Sequence, residues 1–281
     1  MTRATGAHRD GYSEEPEPDG RLERLGDQFV FYGKAYGWSY RTLLRYKREL
    51  LRQVAAVAFG TNALAMFGGT AAVIAFLNMM TGAEVMIEGY VNLGKIGVPV
   101  LTGFFSAYLN TRITTPLVTT VGLVATVGAG ITAELGARRT SEEIDALEVM
   151  AVPPIPFLVT TRILAGLLAA TPLYAVALIV SFGTSRLMAV VLYAQSGGAY
   201  DHYFRSFLHP GDVLTSYLQV LAMSVVIVSV HSYYGFHAKG GPAGVGTAVG
   251  RSVRLSLVLV LFVQFALTLL MYEPSALRIS R

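Results

Sequence analysis

The chain contains no cysteine, which excludes a disulfide framework and every thiolate metal site. Charge is scarce too: 14% of residues are Asp, Glu, Lys or Arg, against roughly 25% in a soluble domain. The five histidines, His8, His202, His209, His231 and His237, are scattered without ligand spacing. No nucleophile with base and orienter, no paired-carboxylate pattern and no His-x4-Asp acyltransferase spacing stands out. An intrinsic enzyme is therefore not expected, nor a resident cofactor or metal. The glycine-rich run from Gly235 to Gly246 places Lys239 before its glycines. A phosphate-cradling loop needs the reverse order, after a strand.

What the chain has in quantity is apolar sequence, 53% of residues. Five nearly uncharged segments, about 53–80, 113–133, 157–182, 213–235 and 252–272, reach the roughly 20 residues that cross about 30 Å of hydrocarbon. Backbone groups in lipid must pair internally, so these segments are helices. The expected class is an all-α integral membrane protein: an amphipathic interfacial N-terminal helix, five transmembrane helices and a cytoplasmic loop helix. Residues 1–20 are polar, carry no signal-peptide pattern and read as a disordered cytoplasmic tail. Residues 21–52 mix Phe29, Tyr32, Tyr36 and several leucines with Arg21, Arg24, Lys34, Arg41 and Arg45. That pattern suits a helix lying on an anionic membrane surface, so no nucleic-acid partner is expected. The stretch 96–110 is apolar but too short to span alone. It reads as an outer-face lateral or re-entrant helix, because a sixth span would place the later arginines opposite the basic arm. The N-terminus is then cytoplasmic and the C-terminus outside.

The densest signal is Gly128 to Arg162, where one span ends, a short acidic helix forms and the next span begins after Pro153-Pro154. Thr140 and Glu143 fit a capping box over a helix at 141–151. Ile144, Leu147 and Ala151 share one face, with Met150 at its edge. Such a helix either joins two spans or offers a face to a soluble partner. Arg162, just inside the third span, is placed to snorkel towards headgroups. Asn62, Asn78, Gln219 and Gln264 are uncharged polar residues within spans; they bond across helices or line a cavity. Few ionisable groups lie deep in any span, which argues against an ion-coupled pump.

With these residues in view, the chain resembles the MlaE/YrbE family of ABC permeases over about residues 40–272, in particular the YrbE subunits of actinobacterial, including mycobacterial, Mce lipid-import systems. The resemblance is carried by Ala133-Glu134-Leu135-Gly136, Ile144-Asp145-Ala146-Leu147-Glu148-Val149-Met150, Arg162, Arg112 with Pro116, and Tyr234 to Gly241 with Gly244-Val245-Gly246. Ala125-Thr126 replaces the family's Gly-Arg pair, Ile113 an acidic residue, and Thr160-Thr161-Arg162 the family's Ser-Pro-Arg. These departures suit a B-type subunit paired with an A-type paralogue. The resemblance implies a permease heterodimer in the cell membrane, a cytoplasmic ATPase dimer that binds ATP and Mg below it, and Mce proteins forming a lipid conduit outside. The helix 141–151 would be the coupling helix, with Glu134, Glu143, Ile144, Asp145, Leu147 and Met150 transmitting ATPase motion. His237, Lys239 and Arg251 would make a second inner-face contact, and Asn62, Gly68 and Val73 would line the lipid cavity. A scaffold for Mce proteins and a secondary transporter are the competing readings.

Overall fold

The chain is described here by a computed structural model covering residues 21–39, 48, 50–54 and 69–272, with side chains from residue 26 onward. The expected tail at 1–20, residues 40–47 and 49 of the expected interfacial helix, and residues 55–68 of the first expected span, with Asn62 and Gly68, lie outside the described residues. Among the described residues every regular element is helical. The helices are α1 (Arg21–Gly37), α2 (Thr70–Lys95), α3 (Pro99–Thr140), α4 (Glu143–Val149), α5 (Ile155–Leu192), α6 (Gly197–Phe207), α7 (Pro210–Phe236) and α8 (Gly241–Met271). Five of them, α2, α3, α5, α7 and α8, are long and apolar enough to cross a membrane. The bundle is an all-α membrane fold with the expected number of spans. Below, the end carrying residues 141–154 is called the lower end and the opposite end the upper.

The central rod is α3, which packs against α2, α5, α6, α7 and α8. Its buried face is lined with small and hydroxylated residues, among them Ser106, Thr111, Thr115, Thr119 and Thr132. Hydroxyls can return hydrogen bonds to the backbone one turn back, which lowers the cost of polar residues inside a bundle. Thr120 Oγ1 does this to the Pro116 carbonyl at 2.9 Å, and Thr126 Oγ1 to Gly122 at 2.7 Å. Short side chains also allow close helix approach. Where α2 crosses α5, a Cβ on Gly82 would stand 2.5 Å from the Ser181 carbonyl oxygen. Ser185 Oγ donates to the Gly82 carbonyl at the same crossing, at 2.7 Å. Of the uncharged polar residues, Asn78 bonds across helices, its Nδ2 donating to Thr119 Oγ1 at 3.3 Å.

Three features differ from the sequence expectations. Residues 96–110 do not form a separate lateral or re-entrant helix: from Pro99 on they are the upper part of α3, which runs 42 residues. They are too short to span alone but need not, because the helix continues through a π turn at Asn110–Thr114. That turn precedes Pro116, whose ring nitrogen cannot donate to the preceding turn. Second, α2 extends to Lys95 and not to about 80. Glu84 and Glu88 lie on its exposed side, while Gly82, Val85, Met86 and Gly89 are buried. Third, the last helix starts at Gly241, about ten residues earlier than expected. Pro242 stands at its first turn, where a missing N–H costs nothing. The link from α7 is a tight turn with Gly240 at φ +89° and Gly241 at φ +68°. A Cβ at Gly244 would lie 1.7 Å from the Lys239 carbonyl oxygen, so this turn requires glycine there.

The overlong α2, α3 and α5 form an upper extension closed by α6. Its own small core holds Met86, Ala189 and Tyr200, with Tyr90, Tyr193 and Phe204 packed on it. The Tyr90 and Tyr193 rings stack at 4.0 Å. Thr102 Oγ1 donates to Gln195 Oε1 at 2.7 Å, and Gln195 Nε2 to the Pro99 carbonyl at 2.8 Å, tying α3 to the α5–α6 connection.

Candidate functional site: two charged clusters and a braced loop helix

At the lower end, Arg162 of α5 is buried, its side chain 4% exposed. It does not snorkel. Its Nη2 and Nε donate to the carboxylate of Glu134 on α3, the second at 3.4 Å, and Nη1 donates to the Leu158 carbonyl at 2.8 Å. A buried guanidinium is costly unless every face is met, and Glu134 supplies the neutralising charge. Glu134 is itself half-exposed and also accepts from Arg138, one turn on, at 3.3 Å. Arg138 reaches Glu143 at 3.5 Å and Arg139 reaches Asp145 at 2.8 Å. The ion pairs thus run from α5 through the end of α3 into α4.

α4 is shorter than the expected 141–151 and is not started by a capping box. Thr140 belongs to α3, its Oγ1 donating to the Gly136 carbonyl at 2.9 Å. Glu142 occupies the cap in a left-handed conformation, φ +59°, without a side-chain cap. The arginines that end α3 capture the first-turn acids, so Glu143 pairs with Arg138 instead of reaching back to the cap. At the other end, Val152 N–H donates to the Leu147 carbonyl at 2.9 Å and Ala151 N–H to Glu148 at 2.9 Å. With Ala151 at φ +57°, this is a Schellman closure with alanine in the left-handed position.

The helix is anchored on one side and bare on the other. Ile144 is fully buried in the main core with Leu135 and Leu158, and Leu147 packs against that core. The third residue expected on this face, Ala151, is exposed, because the left-handed turn carries it outward. Met150 is 63% exposed and its neighbour Val149 89%. Two adjacent apolar side chains therefore project from a helix held from behind. The sequence reading missed Val149; the Val-Met pair ahead of Pro153-Pro154 was the available signal.

α1 docks on the same end. Phe31 and Ala35 are buried, and the Phe31 ring lies 5.5 Å from Tyr233 and 5.4 Å from His237. Tyr36 Oη is 2.6 Å from Ser229 Oγ, and Thr160 Oγ1 donates to the Ala35 carbonyl at 2.9 Å. The opposite face of α1 exposes Phe29 and Val30. His237 ends α7, and its Nδ1 hydrogen bonds the Tyr233 carbonyl at 2.9 Å. Its ring edge is exposed, but its faces lie among Phe31, Tyr233 and Phe236. That burial holds the imidazole below its ordinary pKa, with Arg139 and Lys239 acting in the same direction. Lys239 and Arg251 are exposed at this end. Of the expected cavity residues, Val73 is half-buried on α2. His231, alone in sequence, is fully buried with Nδ1 2.7 Å from Thr132 Oγ1, which also meets Ser252 Oγ at 3.1 Å.

The second cluster sits at the upper end. Arg112, inside the first π turn of α3, places Nη2 at 3.0 and 2.9 Å from the two carboxylate oxygens of Asp212, in the first turn of α7. Its guanidinium lies between the Tyr108 and Tyr272 rings, 4.5 and 4.6 Å from their centroids. Tyr272 Oη donates to the Asp212 carbonyl at 3.4 Å. One arginine thus ties the π turn of α3 to the upper ends of α7 and α8. Along α3, Arg112 and Glu134 are about 33 Å apart at roughly 1.5 Å per residue, close to the ~30 Å of a hydrocarbon core. On the extension above, Arg186 forms two bonds to Asp201 on α6, at 2.8 and 3.0 Å, and holds that carboxyl below the usual range.

Fold and site together define a multi-pass helical membrane protein with polar clusters about one bilayer apart and a braced loop helix at one face. The chain belongs to the MlaE permease family: the family described as "Permease MlaE" matches residues 59–270. Its relatives include a probable ABC transporter permease protein of Rickettsia conorii, 24% identical over 201 residues, covering 72% of this chain and 78% of the relative. Another, from a Synechocystis species, is 29% identical over 163 residues, covering 58% and 62%. The chloroplastic protein trigalactosyldiacylglycerol 1 of Arabidopsis thaliana is 26% identical over 179 residues, 64% of this chain and 51% of that protein. The chain thus spans about half the length of the plant relative.

Proposed function

We propose that this chain is the transmembrane permease subunit of an ABC-type lipid importer. α4 is its coupling helix: a cytoplasmic ATPase dimer, which binds ATP and Mg, grips Val149 and Met150, and the ion pairs from Asp145 and Glu143 through Arg138, Glu134 and Arg162 pass its motion to α3 and α5. The observation that carries this reading is the combination on α4 of a buried anchor, Ile144, with an exposed apolar tip. A loop that merely joined two spans would have no reason to project two apolar side chains. His237, Lys239 and Arg251 are a second contact at this face. The lower end is cytoplasmic, α1 lies in the interface with Phe29 and Val30 towards lipid, and the protein resides in the cell membrane with its C-terminus outside.

The name of the Arabidopsis relative, with the apolar spans, supports a lipid as cargo. The sequence departures noted above support a B-type subunit paired with an A-type YrbE paralogue, with Mce proteins feeding lipid from outside. α2, α3 and α8 would then wall the cavity, with Val73 on its lining. The test is co-purification of the ATPase and ATP-dependent lipid movement by the reconstituted complex. Val149→Asp with Met150→Asp is expected to abolish both while leaving the isolated chain's thermal stability unchanged. ATPase capture and lipid movement that survive this pair of changes refute the reading.

A further inference from the structure

About two helical turns below the upper clasp, two amides meet at one hydroxyl on the α7–α8 seam in an arrangement that neither packing nor the coupling mechanism requires. Gln219 of α7 is fully buried and Gln264 of α8 is 7% exposed. Each donates through Nε2 to the same hydroxyl, Thr268 Oγ1, at 3.5 and 3.4 Å respectively, both near the limit of a hydrogen bond. Their carbonyl oxygens, Gln219 Oε1 and Gln264 Oε1, are buried and meet no donor among the described residues. Gln219 lies two turns of α7 below Asp212, about 10 Å into the hydrocarbon zone. In that zone an unmet acceptor is expensive, and a helix pair that needed only to pack would carry leucine there. Two acceptors left open on amides that share one hydroxyl instead match a ligand that brings donors.

We propose that Gln219, Gln264 and Thr268 form a site for the headgroup of an amphiphile that carries N–H or O–H donors, such as an ammonium or a hydroxyl. The inference rests on the lipid-transport reading and adds a selectivity to it. Access comes from α8, which exposes Leu261, Phe262, Phe265, Leu269 and Leu270 along its outer side. Its upper end is tied down by the stacking of Tyr272 on Arg112 and the bond from Tyr272 to Asp212. Release of that clasp lets α8 tilt away from α7 and opens the amide pair to an incoming headgroup, with acyl chains along the apolar side of α8.

The experiment titrates the purified full-length chain in detergent with short-chain phosphatidylethanolamine and with phosphatidylcholine of the same chains. The two differ in N–H donors against methyl groups at equal charge, and binding is read as a rise in unfolding temperature. The wild type is expected to bind the ethanolamine lipid about tenfold more tightly, the ratio a charge-assisted hydrogen bond supplies. In Gln219→Leu/Gln264→Leu that preference is expected to vanish while the lipid-free unfolding temperature holds or rises, because two unmet acceptors have gone. Equal binding of the two lipids by the wild type, or a preference that survives the substitutions, overturns the site and leaves lipid transport standing. A fall in lipid-free stability shows the amides to be a structural tie and overturns the site too. Binding of neither lipid removes the lipid reading itself.

Discussion

Replacing Glu134 by Gln removes the carboxylate that accepts from Arg162 Nη2 and Nε while the shape of the side chain is kept. Arg162 is 4% exposed and cannot turn to water, so its charge stays buried without the neutralising carboxylate, Nη1 still donating to the Leu158 carbonyl. Breaking a buried pair from one side costs about 3–5 kcal/mol. Glu134 is half-exposed and shared with Arg138, so solvent already weakens the pair and the lower figure, about 3 kcal/mol, applies. For a protein of this size that corresponds to a fall in unfolding temperature of about 6–12 °C. Arg162→Met in the same chain removes the stranded charge, and the double variant should recover most of the loss. The assay is thermal unfolding in one detergent of the wild type, both single variants and the double. An unchanged midpoint in Glu134→Gln, or a double variant at least as unstable as the sum of the singles, would refute the assignment of this pair as a mutual neutralisation.

Other predictions concern the same end of the molecule. Ile144→Ala should cost about 2–5 kcal/mol, since the side chain is fully buried; denaturation of the purified chain measures it. Ala151→Gly should stabilise by about 1 kcal/mol, because φ +57° suits glycine, and the gain should appear as slower proteolysis of residues 141–154. Gly128→Ala brings a Cβ within 2.6 Å of the buried His231 ring and should cost about 1–3 kcal/mol by overpacking, read from the unfolding midpoint. His237 is held below its ordinary pKa by burial, so its neutral form favours the folded state. That contribution is complete above about pH 6.5, the unfolded value, and is lost as pH falls through the lowered folded value. The protection factors of α1 amides, exchange rates corrected for their intrinsic pH dependence, should therefore fall on acidification, and His237→Phe should remove the effect.

The spans were legible because hydrocarbon demands long uncharged helices and few other sequences meet that demand. The boundaries were less so. The first expected span stops at about residue 80, short of Glu84 and Glu88, whereas the helix turns both outward and continues to Lys95. Residues 96–110 were misread because length was judged for a segment alone, and no local signal says that a helix passes through a π turn. On the loop helix, Glu143 reads as a capping residue and Asp145 as a coupling residue by resemblance, but their partners Arg138 and Arg139 are not assigned, because a pairing across the α3–α4 corner depends on how the chain turns there. The left-handed Glu142 that makes that turn has no glycine to announce it. Arg162 was legible as anomalous and not as paired, since Glu134 lies 28 residues away. Gln219 and Gln264 were recognised as polar within spans, with bonding across helices and a cavity lining both open; their shared hydroxyl and unmet oxygens belong to the seam between two helices.

The most direct test of the account uses the absence of native cysteine. Met150→Cys supplies the chain's single thiol at the exposed tip of α4. In the assembled complex, a short bifunctional crosslinker should join that residue to the ATPase subunit, and a water-soluble maleimide should label it only after the ATPase is stripped away. Free labelling of Cys at this position in the intact complex, with no crosslink to the ATPase, contradicts the claim that α4 receives the motor.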